Sequence, residues 1–194
     1  LIFILWGSVA AAMLFWGRGA YCGWLCPFGA FQELLNRAAK VFKVPQLEVP
    51  WAVHERLWPI KYILFLGLFG AALYSLAVAE QLAEVEPFKT AIILKFQRSW
   101  PFVLYAVLLL AAGLFIERFY CRYLCPLGAA LALPGRLRMF DWLKRYRDCG
   151  STCQRCANEC MVQAIHPEGH INPNECLYCL HCQVLYYDDE RCPV

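Results

Sequence analysis

The sequence predicts a mainly α-helical membrane protein that ends in a small, cysteine-rich α+β domain. Three observations carry that prediction. Of 194 residues, 60% are hydrophobic and only 17% are charged, against about 45–50% and about 25% in an ordinary soluble domain. The mean hydropathy is +0.44, and three apolar runs fall within the first 116 residues. Twelve cysteines are present, eight of them after residue 148. Disordered, collagen-like and coiled-coil classes are excluded by this composition. The chain opens inside an apolar run without an initiator methionine, as a piece of a longer protein would.

The three runs are Leu1–Trp16, Tyr62–Ala79 and Trp100–Ile116. A helix needs roughly 20 apolar residues to cross about 30 Å of hydrocarbon, with a range of about 17–25. Trp58, Trp100 and Tyr120 stand where headgroup-level aromatics belong. Buried helices of a soluble protein also run apolar, but three in so short a stretch leave little polar surface for a soluble shell.

Charge orients the spans. Residues 18–61 carry six Lys/Arg and residues 118–155 carry eight, whereas residues 80–98 carry three, balanced by Glu80, Glu84 and Glu86. Positive charge is retained on the cytoplasmic side, so the basic regions face inward and the 80–98 loop outward. The three acids read as a solvated loop face, with proton transfer for a quinol as the rival. The expected location is a bacterial inner membrane, crossed several times, with the C-terminal tail in the cytoplasm.

Two segments read as helices lying on that surface. In Phe28–Val44, Phe28, Phe31, Leu34, Leu35, Ala38, Val41 and Phe42 mark one face, and Gln32, Asn36, Arg37, Lys40 and Lys43 the other. Residues 136–147 mix basic and aromatic side chains in the same manner. Attraction to anionic lipid explains this more simply than nucleic-acid binding. Membrane lipid is therefore an expected partner and nucleic acid is not. His54, beside Trp51 and Trp58, reads as an ordinary interfacial histidine.

An internal repeat follows the first and third runs. Tyr21-Cys22-x-x-Leu25-Cys26-Pro27-x-Gly29-Ala30 returns as Tyr120-Cys121-x-x-Leu124-Cys125-Pro126-x-Gly128-Ala129. Thiols at i and i+4 share one helix face, and proline after the second favours an extended residue there before a new element. Cys22, Cys26, Cys121 and Cys125 together offer four thiolates, enough for a further metal or iron–sulfur centre. Redox-active thiols and simple duplicated packing are the alternatives, and the spacing does not choose among them.

The tail carries a denser pattern: Cys149-x3-Cys153-x2-Cys156-x3-Cys160, then Cys176-x2-Cys179-x2-Cys182-x9-Cys192-Pro193. Bacterial two-cluster ferredoxins use Cys-x2-Cys-x2-Cys-x3-Cys-Pro twice, the fourth cysteine of each run ligating the other cluster. By that crossing rule Cys149, Cys153, Cys156 and Cys192 hold one [4Fe–4S] cluster. Cys176, Cys179, Cys182 and Cys160 hold the second. The first gap has one extra residue, Met161 stands where proline is usual, and the last gap has six extra residues. Ile165–Asn172 reads as the hairpin joining the halves. Zinc sites generally use separated pairs of cysteines, which the triple run does not supply. His166, His170 and His181 lie amid the cysteines as weaker competitors for ligation. Two domains result: residues 1–148 in the membrane and residues 149–194 as a ferredoxin-like domain.

Together with Cys149-Gly-Ser-Thr-Cys-Gln-Arg-Cys-Ala-Asn-Glu-Cys160 and Asn174-Glu-Cys-Leu-Tyr-Cys-Leu-His-Cys182, the repeat closely resembles the C-terminal part of the NosR family. These are membrane-bound iron–sulfur flavoproteins required for nitrous-oxide reductase expression and activity in denitrification. The resemblance implies a preceding periplasmic domain with FMN, and electron transfer between the quinone pool or cytoplasm and that flavin. Nitrous-oxide reductase or its maturation machinery, and quinone, are then the expected partners. NapH-type quinol electron carriers and CcoG-type cupric reductases share parts of the layout. A redox-sensing membrane regulator is the remaining alternative. No catalytic residue is assigned, because an electron relay needs no substrate pocket.

Overall fold

The computed structural model describes residues 2–83, 86–140, 143, 145, 149–150, 153–188 and 190–192. Ten α-helices and two π-helical turns are formed by these residues: α1 (Ile2–Trp16), a π-helix (Ala20–Leu25), α2 (Pro27–Val41), α3 (Trp51–Leu57), α4 (Ile60–Tyr74) and α5 (Leu76–Ala83) come first. A second π-helix (Lys89–Ile93), α6 (Trp100–Phe115), α7 (Phe119–Tyr123), α8 (Pro126–Gly135), α9 (Arg155–Asn158) and α10 (His181–Tyr186) follow.

The breaks have local causes. Gly17, at φ +70°, ends α1 in the left-handed conformation that glycine tolerates. Cys26 is extended before Pro27, which opens α2. Ser75 is extended at φ −158°, ψ 126°, and separates α4 from α5.

That break revises the second expected span. The run Tyr62–Ala79 does not continue as one helix past Tyr74. The helical run long and apolar enough to cross a membrane is instead Trp51–Tyr74, 24 residues at a mean hydropathy of 1.5. By length and composition it is the one such run among the described residues. α1 and α6 are apolar but have 15 and 16 residues, about 22–24 Å of helix. The expected α+β character is also altered: among the described residues no strand is named, only the isolated bridges Cys149↔Cys153 and Ile165↔Ile171. The predicted hairpin turns where expected, with His166 N–H donating to His170 O and Asn172 N–H to Ala164 O, both at 2.8 Å. Its arms are too short to extend a ladder.

The chain forms two compact units. One comprises residues 26–130, with Phe28, Ala91, Leu109, Leu110 and Tyr120 at its core. Here α2 packs on α6 through an unexpected face. Phe28, Gln32, Asn36 and Ala39 are buried, whereas Leu34, Val41 and Phe42 are exposed. Asn36 goes inside because it satisfies backbone groups, and Gln32 accepts from Cys121 Sγ. Asn36 Nδ2 donates to Gly113 O at 3.0 Å and to Gln46 Oε1 at 2.9 Å, while Gln46 Nε2 donates to Leu114 O at 3.0 Å. These are carbonyls of the last turn of α6, which have no partner within their own helix.

The other unit comprises residues 1–25 and 131–194. Its described core holds Val162, Ala164, Cys176, Leu177 and Tyr178, with Cys22, Cys160, Met161 and Ile171 packed around them. The second expected surface helix is not formed over 136–140. Most of the remainder of 136–147, and Glu84, lie outside the described residues.

Candidate functional site

In the tail, the sequence folds the second cysteine run around a buried cleft. Cys160, Cys176, Cys179 and Cys182 all line it together with Cys156 of the first run, and Val162, Ile165, Ile171 and Leu177 are among the apolar walls. Backbone amides point at the sulfurs: Ala164 N–H donates to Cys160 Sγ at 3.3 Å and Tyr178 N–H to Cys176 Sγ at 3.4 Å. Gln183 Nε2 donates to Cys182 Sγ at 3.7 Å. Tyr178 and Leu180 adopt positive φ, 52° and 62°, which turns the chain so that all three cysteines of the run line the cleft, Cys176 buried and Cys179 exposed.

Burial pushes the Cys176 thiol up to about 12, against the opposing pull of the Tyr178 amide and with Cys160, Cys182 and Cys179 adding negative charge nearby. Burial raises Cys160 and Cys182 as well. Four thiolates in such a place need a cationic partner, and an iron–sulfur core provides one. The donor set therefore fits a cluster. Single zinc ions hold thiolates about 3.8 Å apart, from Zn–S bonds near 2.3 Å. Among the described residues no three cysteine sulfurs come within 4.8 Å of one another.

The first run is assembled less tightly. The backbones of Cys149 and Cys153 form an isolated parallel β-bridge, Gly150 N–H donating to Cys153 O at 2.9 Å. Cys192, the residue beyond the long gap, is brought toward this run because Arg155 Nη1 donates to Arg191 O at 3.2 Å. Glu159 connects the two runs: its carboxylate accepts from Arg155 Nε and pairs with His181 Nε2, each at 2.9 Å. Hydrogen bonds from Arg155 and His181 hold the Glu159 carboxyl below its usual range. His181 thus serves the fold as a link between α9 and α10.

The four repeat cysteines fall in different units. Cys22 packs against the tail core beside Cys176 and Leu177. Cys26 and Cys125 pack in the other unit around Phe28 and Tyr120. There Cys121 Sγ donates to Gln32 Oε1 at 3.2 Å and Gly128 N–H donates to Cys125 Sγ at 3.3 Å.

Sequence reasoning missed how the first repeat meets the tail. The π-helix Ala20–Leu25 forms a seat for residues 175–178. Arg18 pairs with Glu175 at 3.5 Å, both almost fully buried. Trp24 Nε1 donates to Tyr178 O at 3.1 Å. Gly19 and Gly23 leave room for the approach, since a Cβ at these positions would lie 2.1 Å from the Tyr178 ring and 2.0 Å from Leu177 O. The two glycines, four apart beside Cys22, were the available signal. Also missed was a buried polar group in the other unit. His54 is 2% exposed, with Nδ1 3.0 Å from Tyr123 Oη and 3.3 Å from Arg122 Nη2.

Two family models match the chain. That described as 4Fe-4S binding domain matches residues 1–45 and 99–146, the two halves that carry the repeat. The NosR model matches residues 147–194, the cysteine-rich tail. A regulatory protein NosR from Stutzerimonas stutzeri is 63% identical over 193 residues, spanning the whole chain and 27% of that relative. A second regulatory protein NosR, from Pseudomonas aeruginosa, is 64% identical over 73 residues, which is 38% of this chain and 73% of the relative. This chain belongs to the NosR family. More distant is the putative electron transport protein YccM of Escherichia coli, 29% identical over 183 residues, or 91% of the chain and 49% of the relative. No solved structure gives a significant match. The chain spans about a quarter of the length of the full-size NosR relative. The 4Fe-4S description thus falls on the segments that carry Cys22, Cys26, Cys121 and Cys125, and the NosR model on the cysteines of the tail cleft.

Proposed function

We propose that the chain is the electron-relaying end of a membrane protein that supports nitrous-oxide reduction. The observation that carries this reading is the convergence of Cys160, Cys176, Cys179 and Cys182 on one buried cleft with amide donors aimed at sulfur. Those four hold one [4Fe–4S] cluster, and Cys149, Cys153, Cys156 and Cys192 hold the other. When bound, such clusters accept and release single electrons at potentials set by hydrogen bonding and solvent exposure. The residues around them supply that tuning. The Ala164 and Tyr178 amides stabilise negative charge on the sulfurs, and Val162, Ile165, Ile171 and Leu177 keep water from the second site.

The wider setting follows from the same reading. The chain crosses the bacterial inner membrane three times, with the ferredoxin-like tail of residues 149–194 on the cytoplasmic side. Residues 1–148 form the membrane domain. Quinone or a cytoplasmic donor supplies electrons, an FMN-bearing domain outside this chain receives them, and nitrous-oxide reductase or its maturation machinery benefits. The Cys-x3-Cys-Pro cysteines Cys22, Cys26, Cys121 and Cys125 approach or build a third centre, a reading supported by the 4Fe-4S family match over both repeats.

Iron and sulfide content of the anaerobically purified chain tests this. About eight irons per chain means two cubanes of four. A higher count that falls in both Cys22→Ser and Cys121→Ser adds the third centre. Zinc without iron overturns the proposal, as does a topology reporter at the C-terminus that is active only outside the cell.

A second reading is regulatory, and the name of the NosR relatives, regulatory protein, favours it. Cluster-ligand variants separate the two. Normal reductase transcription with lost nitrous-oxide reduction supports electron supply, whereas lost transcription with a working pre-made reductase supports sensing.

A further inference from the structure

The tail hairpin carries a donor group that the electron-relay reading does not use. In His166-Pro167-Glu168-Gly169-His170, one ligand atom from each of His166, Glu168 and His170 lies within 4.8 Å of the others. Among the described residues this is the group of three such donors that closes to that distance. The two imidazoles are stacked, with centroids 4.5 Å apart and planes 15° from parallel. His166 Nδ1 accepts from the Glu168 amide at 3.2 Å and lies 3.6 Å from Glu168 Oε2.

The backbone beneath these side chains is pinned. His166 N–H donates to His170 O and Gly169 N–H donates to His166 O, both at 2.8 Å. Arg145 Nε donates to Gly169 O at 3.1 Å. Gly169, at φ +97°, and Gly150, at φ +99°, pack against each other's neighbours so closely that a Cβ on Gly169 would lie 2.0 Å from Cys149 O. Drawing two nitrogens and one carboxylate oxygen onto bonds of about 2.0–2.2 Å therefore requires side-chain rotation and leaves the main chain in place.

We infer that His166, Glu168 and His170 form a binding site for a divalent transition-metal ion of the zinc class, separate from the cluster cysteines. Two imidazoles and a carboxylate select such ions over magnesium or calcium, which prefer all-oxygen shells. With three protein ligands on a partly exposed loop, a fourth position stays open to water or an exogenous group. The ion ties the two arms of the hairpin across its turn. It sits next to the backbone of Cys149 and so close to the first cysteine run.

Zinc binding to the cluster-loaded, detergent-solubilised chain, measured by competition with a chromophoric chelator, tests the site. Wild type is expected to take up one zinc ion without loss of iron. His166→Ala/His170→Ala is expected to weaken that uptake by more than about a hundredfold, since loss of even a supporting partner costs about 10–100-fold. Its iron and sulfide content is expected to match wild type, which shows that the tail still folds. His181→Ala is expected to bind zinc as wild type does. Undiminished uptake in the double variant, or no uptake by wild type, overturns the inference. Because iron content and zinc uptake are read separately, loss of the cluster reading leaves the zinc result interpretable.

Discussion

Arg18 and Glu175 face each other across 157 positions of sequence, 3.5 Å apart and 3% and 5% exposed. One belongs to the first cysteine repeat and the other immediately precedes Cys176. Removing one member of a buried ion pair costs about 3–5 kcal/mol, because the remaining charge keeps its desolvation penalty. Arg18→Met is expected to lower the melting temperature of the detergent-solubilised chain and to speed hydrogen exchange at residues 176–178. Arg18→Met/Glu175→Gln is expected to recover part of the loss. Equal damage from the single and double changes would show that the pair is not the cause.

Gly23 tests the same seat by shape. A methyl group there meets the Leu177 carbonyl oxygen 2.0 Å away, a backbone atom that cannot rotate aside. Gly23→Ala is expected to cost about 1–3 kcal/mol through overpacking, whereas Gly67→Ala, where a Cβ meets nothing within 4 Å, stays neutral or gains slightly from helix propensity. Chemical denaturation of the two variants side by side measures the contrast.

His54 and Tyr123 are each 2% exposed and joined at 3.0 Å. His54→Phe removes that hydrogen bond and leaves the Tyr123 hydroxyl to Arg122 alone, at a cost of about 0.5–1.5 kcal/mol. His54→Gln, which retains a polar atom in reach, is expected to lose less. Thermal melts of both variants check the order.

Glu33 provides a pH-dependent case. Burial pushes its carboxyl up, but hydrogen bonds and charge from Arg118 and Arg37 outweigh this and hold it below its ordinary value of 4.5. A depressed folded value gives stability that is fully present above about pH 4.5 and is lost as pH falls through the lower folded value. The gap in melting temperature between wild type and Glu33→Gln is expected to be wide at pH 7, nearly unchanged at pH 5.5, and to close toward pH 3. A gap independent of pH would exclude the carboxylate as its source.

Part of the tail geometry was readable because cysteine spacing encodes it locally. The run Cys176-x2-Cys179-x2-Cys182 needs only its own turns to face one cleft, and it does face one. Distant contributions were harder. Nothing in the periodicity of α2 distinguishes Gln32 and Asn36 as buried, since Asn36 bonds the final carbonyls of α6, 77 and more residues away, and Gln32 accepts from Cys121, 89 residues away. The extended conformation at Ser75 similarly lies inside an apolar stretch that reads as continuous. The seat for the tail was invisible for a related reason: Gly19 and Gly23 have no side chain to advertise what they accommodate.

The π-helix at Ala20–Leu25 also bears on how the ferredoxin-like part can be produced in isolation. A gene fragment beginning at residue 149 would encode every tail cysteine yet omit Arg18, Trp24 and the glycine shelf. The product would present the Leu177 and Tyr178 surface to solvent and leave Glu175 without its guanidinium. Recombinant expression of the tail alone should therefore give insoluble material, and a soluble version calls for grafting residues 17–25 or redesigning that surface.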